Sequence, residues 1–403
     1  MRLAGTERLL LGASRLTPSD AQEHTMRAVV AHGDVDWPRL VEEASWHRTA
    51  SLVLNALQTV KLLDAIDPRV AEHLRGEHRE TGARNLFVQA ELERMVRALS
   101  TRDIDVVLLK GAALIATVYP DIALRPMRDV DLLVRPDDLI AATAVLAECG
   151  YAEEHAVPGA TAQPRRALVG PRGWLAVDLH INLGPPEKAL GFRVDDLWSR
   201  ATPISIGKTT GLMPAPEDLL LHVALHFVRH QVDGSAGGLG RLADVCAIVD
   251  RTPTLDWDLL LQDTAAKGAG VPFALALLLA EELLDCPVPA GVRALDRDGV
   301  AQALVEPFVR HRLLPTKRWR RLEASSLRVD TWRGAMPARP GQVWRTASGP
   351  RRLPHVARHY ARWMHTVGSV LAHPGEIARE RRFGKAAAAT VMRVPGAAAT
   401  QPS

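Results

Sequence analysis

The first hundred residues show apolar positions at helical spacing. Asp36 followed by Trp and Pro predicts a helix start, with the Asp side chain as the N-cap. A long amphipathic helix is predicted over about residues 69–99, and the whole stretch from residue 17 to about 100 is predicted to be helical. His47 and His73 are interpreted as helix-surface residues. This region is expected to be a scaffold packed against the rest of the chain.

The pattern changes at Ile104. Residues 104–109 are apolar and β-branched apart from one Asp, which predicts a largely buried strand. Lys110-Gly111 is predicted to be a turn, and a helix is predicted over residues 112–118. Such a strand, glycine turn and helix start direct backbone N–H groups at an anion. Asp129 to Val134 is predicted to be the next strand.

Further elements complete an α/β unit. A helix is predicted from Pro136 to a C-capping Gly150, followed by strands at 166–169, 174–182 and 204–207. These elements are expected to form a mixed sheet with helices on one side. From Pro214 to Leu284 the pattern is helical again.

Three acids mark the candidate chemistry of this unit. Alternation places Asp129 and Asp131 on one face of their strand, where two carboxylates repel each other unless a cation lies between them. Asp178 follows 47 residues after Asp131 inside an apolar strand, where an unpaired carboxylate is costly. The alternative for the first two acids is a solvated strand end. The three together favour a metal and phosphate site.

The second helical region offers features with two interpretations each. Three histidines spaced by four residues lie on one helix face: His222, His226 and His230. They could bind a metal, although lining a cleft or packing on the core is the favoured interpretation. Residues 231–240 are interpreted as a flexible glycine loop. Asp244 is expected to pair with Arg241 or a nearby histidine, or alternatively to position a substrate.

These motifs resemble a known family. Lys-Gly, a helix, then Arg-x-x-Arg-Asp-Val-Asp-Leu-Leu-Val and a later Val-Asp-Leu-His strand resemble the nucleotidyltransferase superfamily. The branch is that of uncharacterised bacterial proteins related to the minimal and aminoglycoside-modifying enzymes, and the resemblance covers about residues 36–249. The wider superfamily has Gly-Ser at the turn, whereas this chain has Lys110-Gly111 followed by Ala112.

The resemblance implies magnesium-dependent transfer of a nucleoside monophosphate from an NTP, such as ATP, to an acceptor hydroxyl. Asp129 and Asp131 would bridge two magnesium ions, and Asp178 would complete one ion and help to deprotonate the acceptor. The implied nucleotide-binding residues are Lys110, Gly111, Ala112, Arg125 and Arg128. The identity of the acceptor, a small molecule or a protein, stays open.

Charge is distributed unevenly along the 403 residues. The net charge is +4, but residues 309–385 hold 18 Lys and Arg against 4 Asp and Glu, a net of +14. This basic, Trp-containing stretch suits an anionic partner such as nucleic acid or a membrane surface, or is a partly disordered tail. Three widely spaced cysteines indicate free thiols and, without a transmembrane segment or signal peptide, a cytoplasmic protein.

The predicted fold is α+β: a nucleotidyltransferase-like mixed sheet flanked by N-terminal and C-terminal helical regions. The predicted units are residues 1–100, 101–210, 211–308 and the basic tail 309–403. The predicted function is nucleotidyl transfer. The alternatives are a non-catalytic nucleotide-binding regulator, or a binding module that uses the basic tail.

Overall fold

The structure, a computed structural model, describes residues 3–153, 165–183, 193–232 and 237–314, together with 386–387 and 390–391. In these parts of the chain, helices flank a mixed sheet, which confirms the predicted α+β class. Most of the basic stretch after residue 314 lies outside the described residues, so its disorder and its anionic partner stay predictions.

The helices before the sheet follow the predicted pattern. They are α1 (Gly5–Gly12), α2 (Asp20–Ala31), α3 (Trp37–His47), α4 (Ala50–Thr59) and α5 (Pro68–Ser100). The Asp36 carboxylate accepts a hydrogen bond of 3.0 Å from the backbone N–H of Arg39, and this confirms the predicted N-cap of α3. Asp67 caps α5 in the same way through the N–H of Arg69.

The described strands form a seven-stranded sheet in the order β3-β4-β5-β2-β1-β7-β6. Their bounds are β1 (Val107–Leu109), β2 (Asp129–Leu133), β3 (Ala152–Glu153), β4 (Arg165–Val169), β5 (Ala176–His180), β6 (Thr202–Ile206) and β7 (Thr209–Met213). β2 runs parallel to β5 and β1 parallel to β7, whereas the other neighbours are antiparallel. The helices between strands are α6 (Lys110–Thr117), α7 (Leu139–Glu148) and α8 (Val194–Arg200).

A second group of helices follows the sheet. It comprises α9 (Pro216–Val232), α10 (Leu239–Arg251), α11 (Trp257–Ala266), α12 (Gly270–Leu284), α13 (Gly291–Ala294) and α14 (Val300–Phe308). α12 is buried along almost its whole length and packs against α9, α10, α11 and α14. One apolar core runs from the N-terminal helices through the sheet to these helices. The predicted unit boundaries stay a prediction.

Several local expectations are wrong. Helices do not cover one side of the sheet alone, because α8 packs Leu197 and Trp198 against Val107, Leu109 and Leu133 on the opposite face. The first strand begins at residue 107 rather than 104, and residues 110–111 are the start of α6 rather than a turn. Strand β1 therefore leads directly into a helix.

Two further corrections concern the helical regions. His47 is buried, with 2% of its surface exposed, and is not a helix-surface residue. Residues 237–240 are packed against the end of α3 rather than forming a flexible loop, and residues 233–236 lie outside the described part. The cysteines are free, as predicted, with Cys246 and Cys286 buried and Cys149 half-buried. Among the described helices, none combines the length and apolar character needed to cross a bilayer.

Candidate functional site

A cavity of about 370 Å³ opens where the β1–α6 junction, β2 and β5 face α9, α10 and the end of α3. Four acids line it: Asp129, Asp131, Asp178 and Asp244. Six basic side chains line it as well: Arg48, Lys110, Arg125, Arg128, Arg229 and Arg241. With the histidines counted as neutral, the lining therefore has a net charge of +2. All the predicted site residues except Ala112 line this cavity.

Three side chains in the cavity have the arrangement of a metal site. The parallel register of β2 and β5 places Asp131 opposite Asp178, and His180 lies two residues further along β5 on the same face. One ligand atom from each of Asp131, Asp178 and His180 lies within 4.8 Å of the others. Asp129 lies at the exposed start of β2, opposite Ala176, and lines the cavity without joining this group.

Two side chains hold Asp131 in place. Its Oδ1 accepts from Lys110 Nζ at 2.5 Å and contacts His180 Nε2 at 2.9 Å. Burial alone would raise the pKa of Asp131, but Lys110 and His180 outweigh it and hold that pKa well below its usual range. Asp131 is therefore a carboxylate, which only accepts, so His180 Nε2 carries the proton of this hydrogen bond.

Lys110 stands at the junction of β1 and α6 in a left-handed conformation, with φ at +45°. A lysine in this conformation is strained, and such strain concentrates at functional sites. The resemblance assigned Lys110 to phosphate binding, whereas in the structure its ammonium group contacts Asp131. The N–H groups of Gly111 and Ala112 belong to the first turn of α6 beside it.

Arg125 joins the sheet to the second helical region. Its Nε and Nη2 donate to the two carboxylate oxygens of Asp244 at 2.8 and 2.9 Å, and Tyr119 donates to Oδ1 of the same group at 2.8 Å. The expected partners of Asp244, Arg241 or a histidine, are thus replaced by Arg125 and Tyr119. A Cβ at Gly111 would lie 2.5 Å from Arg125 Nη1. A residue with a Cβ at position 111 would therefore collide with the guanidinium group of Arg125.

In the part of the chain that the structure describes, the other arginines of the cavity lack a carboxylate partner. Within the described residues, none of Arg48, Arg128, Arg229 and Arg241 forms an ion pair with a carboxylate. Burial lowers the pKa of Arg48 to about 10, and Arg128 and Arg241 add to this effect. Burial also lowers the pKa of Arg241, with Arg125 and Arg229 contributing in the same direction.

The three histidines of α9 stack along one helix face, as predicted. His226 and His230 line the cavity, with 4.2 Å between their ring centroids, while His222 is fully buried beneath them. Burial lowers the pKa of His222 and of His230 to about 3, and Lys110 and the neighbouring basic groups add to it. The candidate metal-binding group among the described residues contains none of the three, which supports the cleft-lining interpretation.

The position of Arg48 depends on a close contact between α3 and α10. His47 Nδ1 accepts from the N–H groups of Gly238 and Leu239 at 3.3 and 3.4 Å, at the start of α10. A Cβ at Gly240 would lie 2.7 Å from the carbonyl oxygen of His47, so the two backbones approach as closely as glycine permits. Arg48 ends α3 with φ at +61°.

A family model described as uncharacterised nucleotidyltransferase matches residues 33–285. This match covers more than half of the chain. The chain belongs to this nucleotidyltransferase family. No curated protein and no solved structure matches the chain.

The nucleotidyltransferase match contains the entire cavity. It begins before α3, whose C-terminal end supplies Arg48, and ends just after α12. It therefore includes the sheet and helices α9 and α10, which face β2 and β5 across the cavity. The residues before 33 and those after 285, which include the basic stretch 309–385, lie outside it. The family assignment therefore rests on the same part of the chain as the candidate site.

The donor set fits a divalent cation of the kind that nucleotidyltransferases use. Two carboxylates offer the oxygen ligands that Mg²⁺ prefers, and His180 adds a nitrogen ligand that also suits other divalent metals. Asp129 brings a third carboxylate to the same cavity. Lys110 competes with a cation for Oδ1 of Asp131.

Sequence reasoning did not find Arg48, Arg229 and Arg241 as site residues. Arg229 follows His226 by three positions and so shares its helix face, which was an available signal. Arg48 and Arg241 carried none, because nothing in their local sequence indicates that α3 and α10 meet at this cavity.

Proposed function

We propose that this protein transfers a nucleoside monophosphate from an NTP to a hydroxyl group of an acceptor. The observation that supports this proposal best is the group of Asp131, Asp178 and His180 beside the first turn of α6, in a chain of the nucleotidyltransferase family. The kinship with minimal and aminoglycoside-modifying enzymes, the binding of ATP and the cytoplasmic location are parts of the same proposal.

Asp131 and Asp178, with Asp129 at the cavity rim, are the proposed ligands of magnesium, with two ions expected. When bound, the metal ions neutralise charge on the triphosphate and polarise the acceptor hydroxyl. His180 and Lys110 keep Asp131 ionised before a metal arrives, because both donate to its Oδ1. They also fix the carboxylate beside Asp178.

The remaining predicted residues act on the phosphates. The N–H groups of Gly111 and Ala112 belong to a helix start, which favours an anion. Arg128 is exposed at the cavity and can approach the triphosphate directly. Arg125 is held by Asp244 and acts mainly by positioning, since its guanidinium group lies against Gly111.

In the proposed reaction, the acceptor oxygen forms a bond to the α-phosphorus and the bond from that phosphorus to the bridging oxygen of pyrophosphate breaks. Pyrophosphate leaves, and the acceptor proton passes to the Asp178 carboxylate. Asp178 suits this role because it is half-buried at the cavity and lies next to the proposed metal ligand Asp131.

A second candidate function is non-catalytic nucleotide binding. It is favoured by the 2.5 Å contact of Lys110 Nζ with Asp131, because an ammonium group there occupies a position that a metal ion would need. In this alternative, Lys110 replaces the metal permanently, and the protein binds an NTP without consuming it.

The test is calorimetric binding of each of the four ribonucleoside triphosphates, with and without Mg²⁺, to wild type, Asp131→Asn and Asp178→Asn. Loss of an outer-shell partner already weakens metal sites by about 10- to 100-fold, so loss of a ligand should weaken Mg²⁺-dependent binding at least as much. Asp137→Asn, which removes an exposed acid shortly after β2, is the matched control and should bind as wild type does.

Lys110→Met separates the two candidates. If Lys110 assists transfer, this variant loses pyrophosphate release from the bound NTP. If Lys110 replaces the metal, Mg²⁺ affinity increases in the variant, because the competing ammonium group is gone. Metal-independent NTP binding that survives both Asn substitutions would contradict the catalytic proposal.

A further inference from the structure

The cavity contains more positive charge than its own acids balance. Lys110 pairs with Asp131 and Arg125 with Asp244, whereas the other four arginines of the cavity have no carboxylate partner among the described residues. These arginines, the arginine cluster, are Arg48, Arg128, Arg229 and Arg241.

Such a cluster opposes folding when the cavity is empty. Arg48, Arg229 and Arg241 are each partly buried, and the Nε of Arg229 is buried without a hydrogen-bond partner in the described part of the chain. Arginine keeps its charge in proteins, so it cannot relieve the repulsion by losing a proton. An anion between the side chains would remove this cost.

The backbone holds the cluster in place. Arg48 ends α3 in a left-handed conformation, and the glycine contact between α3 and α10 brings it towards Arg241. Arg241 donates from Nη1 to the carbonyl oxygen of Gly237 at 2.9 Å, which anchors one end of its guanidinium group. Arg229 projects into the cavity from α9. Three separate helices thus bring arginines to one side of the cavity, and Arg128, which precedes β2, adds a fourth guanidinium group to the lining.

We propose that Arg48, Arg128, Arg229 and Arg241 form a subsite for the oxygens of phosphate groups, facing the acids of β2 and β5. The inference rests on the proposed function and names the ligand of the side of the cavity formed by α3, α9 and α10. The planar guanidinium fork matches phosphate oxygens bidentately, and several forks on one wall suit a ligand with several charged oxygens. The phosphates belong either to the NTP donor or to a phosphorylated acceptor.

The probe is inorganic tripolyphosphate, titrated calorimetrically without a divalent metal at fixed ionic strength. Wild type should bind it, and Arg48→Gln and Arg241→Gln should each bind it at least about tenfold more weakly, because hydrogen bonds to charged groups are the strong ones. Arg102→Gln is the matched control, since Arg102 is exposed and pairs with Glu148 on the surface. Tripolyphosphate affinities within twofold of wild type in both cluster variants would overturn the proposal.

Thermal unfolding distinguishes the loss of a ligand contact from a general loss of stability. Because Arg48 and Arg241 have no carboxylate partner in the described structure, their replacement by Gln should leave the unfolding temperature unchanged or raise it. A variant that binds weakly while unfolding at the wild-type temperature or above supports the subsite. A fall in unfolding temperature that matches the loss of affinity overturns it in favour of a structural role.

Competition identifies the source of the phosphates. If tripolyphosphate displaces ATP, and the Gln variants lose ATP affinity but not AMP affinity, the cluster binds the donor's outer phosphates. If tripolyphosphate binds together with ATP, the cluster binds a phosphorylated acceptor. Both results support the subsite. These binding measurements do not depend on turnover. If wild type binds tripolyphosphate, the Gln variants bind it more weakly and no nucleotidyl transfer is detected in wild type, the subsite stands and the proposed function is rejected.

Discussion

His222 illustrates how burial sets the behaviour of a single residue. It is fully buried on α9, and neither ring nitrogen has a hydrogen-bond partner among the described residues. Its pKa is lowered to about 3, chiefly by burial and then by Lys110, against about 6.5 in an unfolded chain. The folded protein therefore contains neutral His222 throughout the neutral and mildly acidic range.

This shift predicts a specific loss of stability in acid. Below about pH 6.5 the unfolded state takes up a proton that folded His222 refuses, so the stability that is complete above pH 6.5 falls as the pH decreases towards 3. Between pH 7 and 5 the free energy of unfolding should fall by about 2 kcal/mol through His222 alone. His222→Leu should remove that part of the pH dependence, measured by urea unfolding with coincident fluorescence and circular dichroism.

The control for this measurement is His73→Gln on α5, where the side chain is 49% exposed. This variant should keep the wild-type difference between pH 7 and 5. An unchanged pH dependence in His222→Leu would show that the imidazole is protonated in the folded state or that the cavity hydrates it.

At the level of the element, the β1–α6 junction combines two requirements in adjacent residues. Lys110 supplies the ammonium group that holds Asp131, and Gly111 leaves room for the guanidinium group of Arg125. The Lys-Gly pair is thus explained by two contacts to other segments rather than by a turn.

The junction predicts opposite effects for two Gly→Ala substitutions in helices. Gly111→Ala places a Cβ 2.5 Å from Arg125 Nη1, so Arg125 must shift and the variant should lose about 1–3 kcal/mol of stability, with weaker NTP binding. Gly76→Ala in α5 meets no atom within 4 Å and should gain up to about 1 kcal/mol from helix propensity. Thermal unfolding compares the two. Equal stability of Gly111→Ala and wild type would mean that Arg125 does not lie across the glycine.

At the level of the whole molecule, buried ion pairs connect segments that are distant in sequence. Asp244 of α10 holds Arg125 and Tyr119 from the segments before β2. Asp250 of the same helix accepts from Arg15 Nε and Nη2 at 2.9 and 2.6 Å, which joins α10 to the N-terminal helices. One helix therefore positions both the cavity wall and the scaffold.

These two acids should be separable by experiment. Asp244→Ala leaves the half-buried Arg125 without its carboxylate partner and should cost about 3–5 kcal/mol, with loss of tripolyphosphate and NTP binding. Asp250→Ala breaks a comparable pair away from the cavity and should destabilise the protein while ligand affinity stays unchanged. Urea unfolding and calorimetry on both variants provide the readouts. Equal loss of ligand affinity in both would mean that the cavity depends on overall stability alone.

The sequence by itself determined most helices and strands and the acid-bearing side of the candidate site. Period-two alternation placed Asp129 and Asp131 on one face, an Asp N-cap started α3, and helical spacing put the three histidines on one side of α9. These features depend on residues a few positions apart, and local geometry fixes them.

Tertiary structure decided which side chains meet. The pairing of Asp131 with Lys110 and His180, of Asp244 with Arg125, and the meeting of Arg48 with Arg241 all join segments that are at least 21 residues apart. Local pattern carries no information on such contacts, because they follow from strand register and helix packing. The sequence thus identified the acid-bearing strands, and the packing of α3, α9 and α10 supplied the cationic wall that faces them.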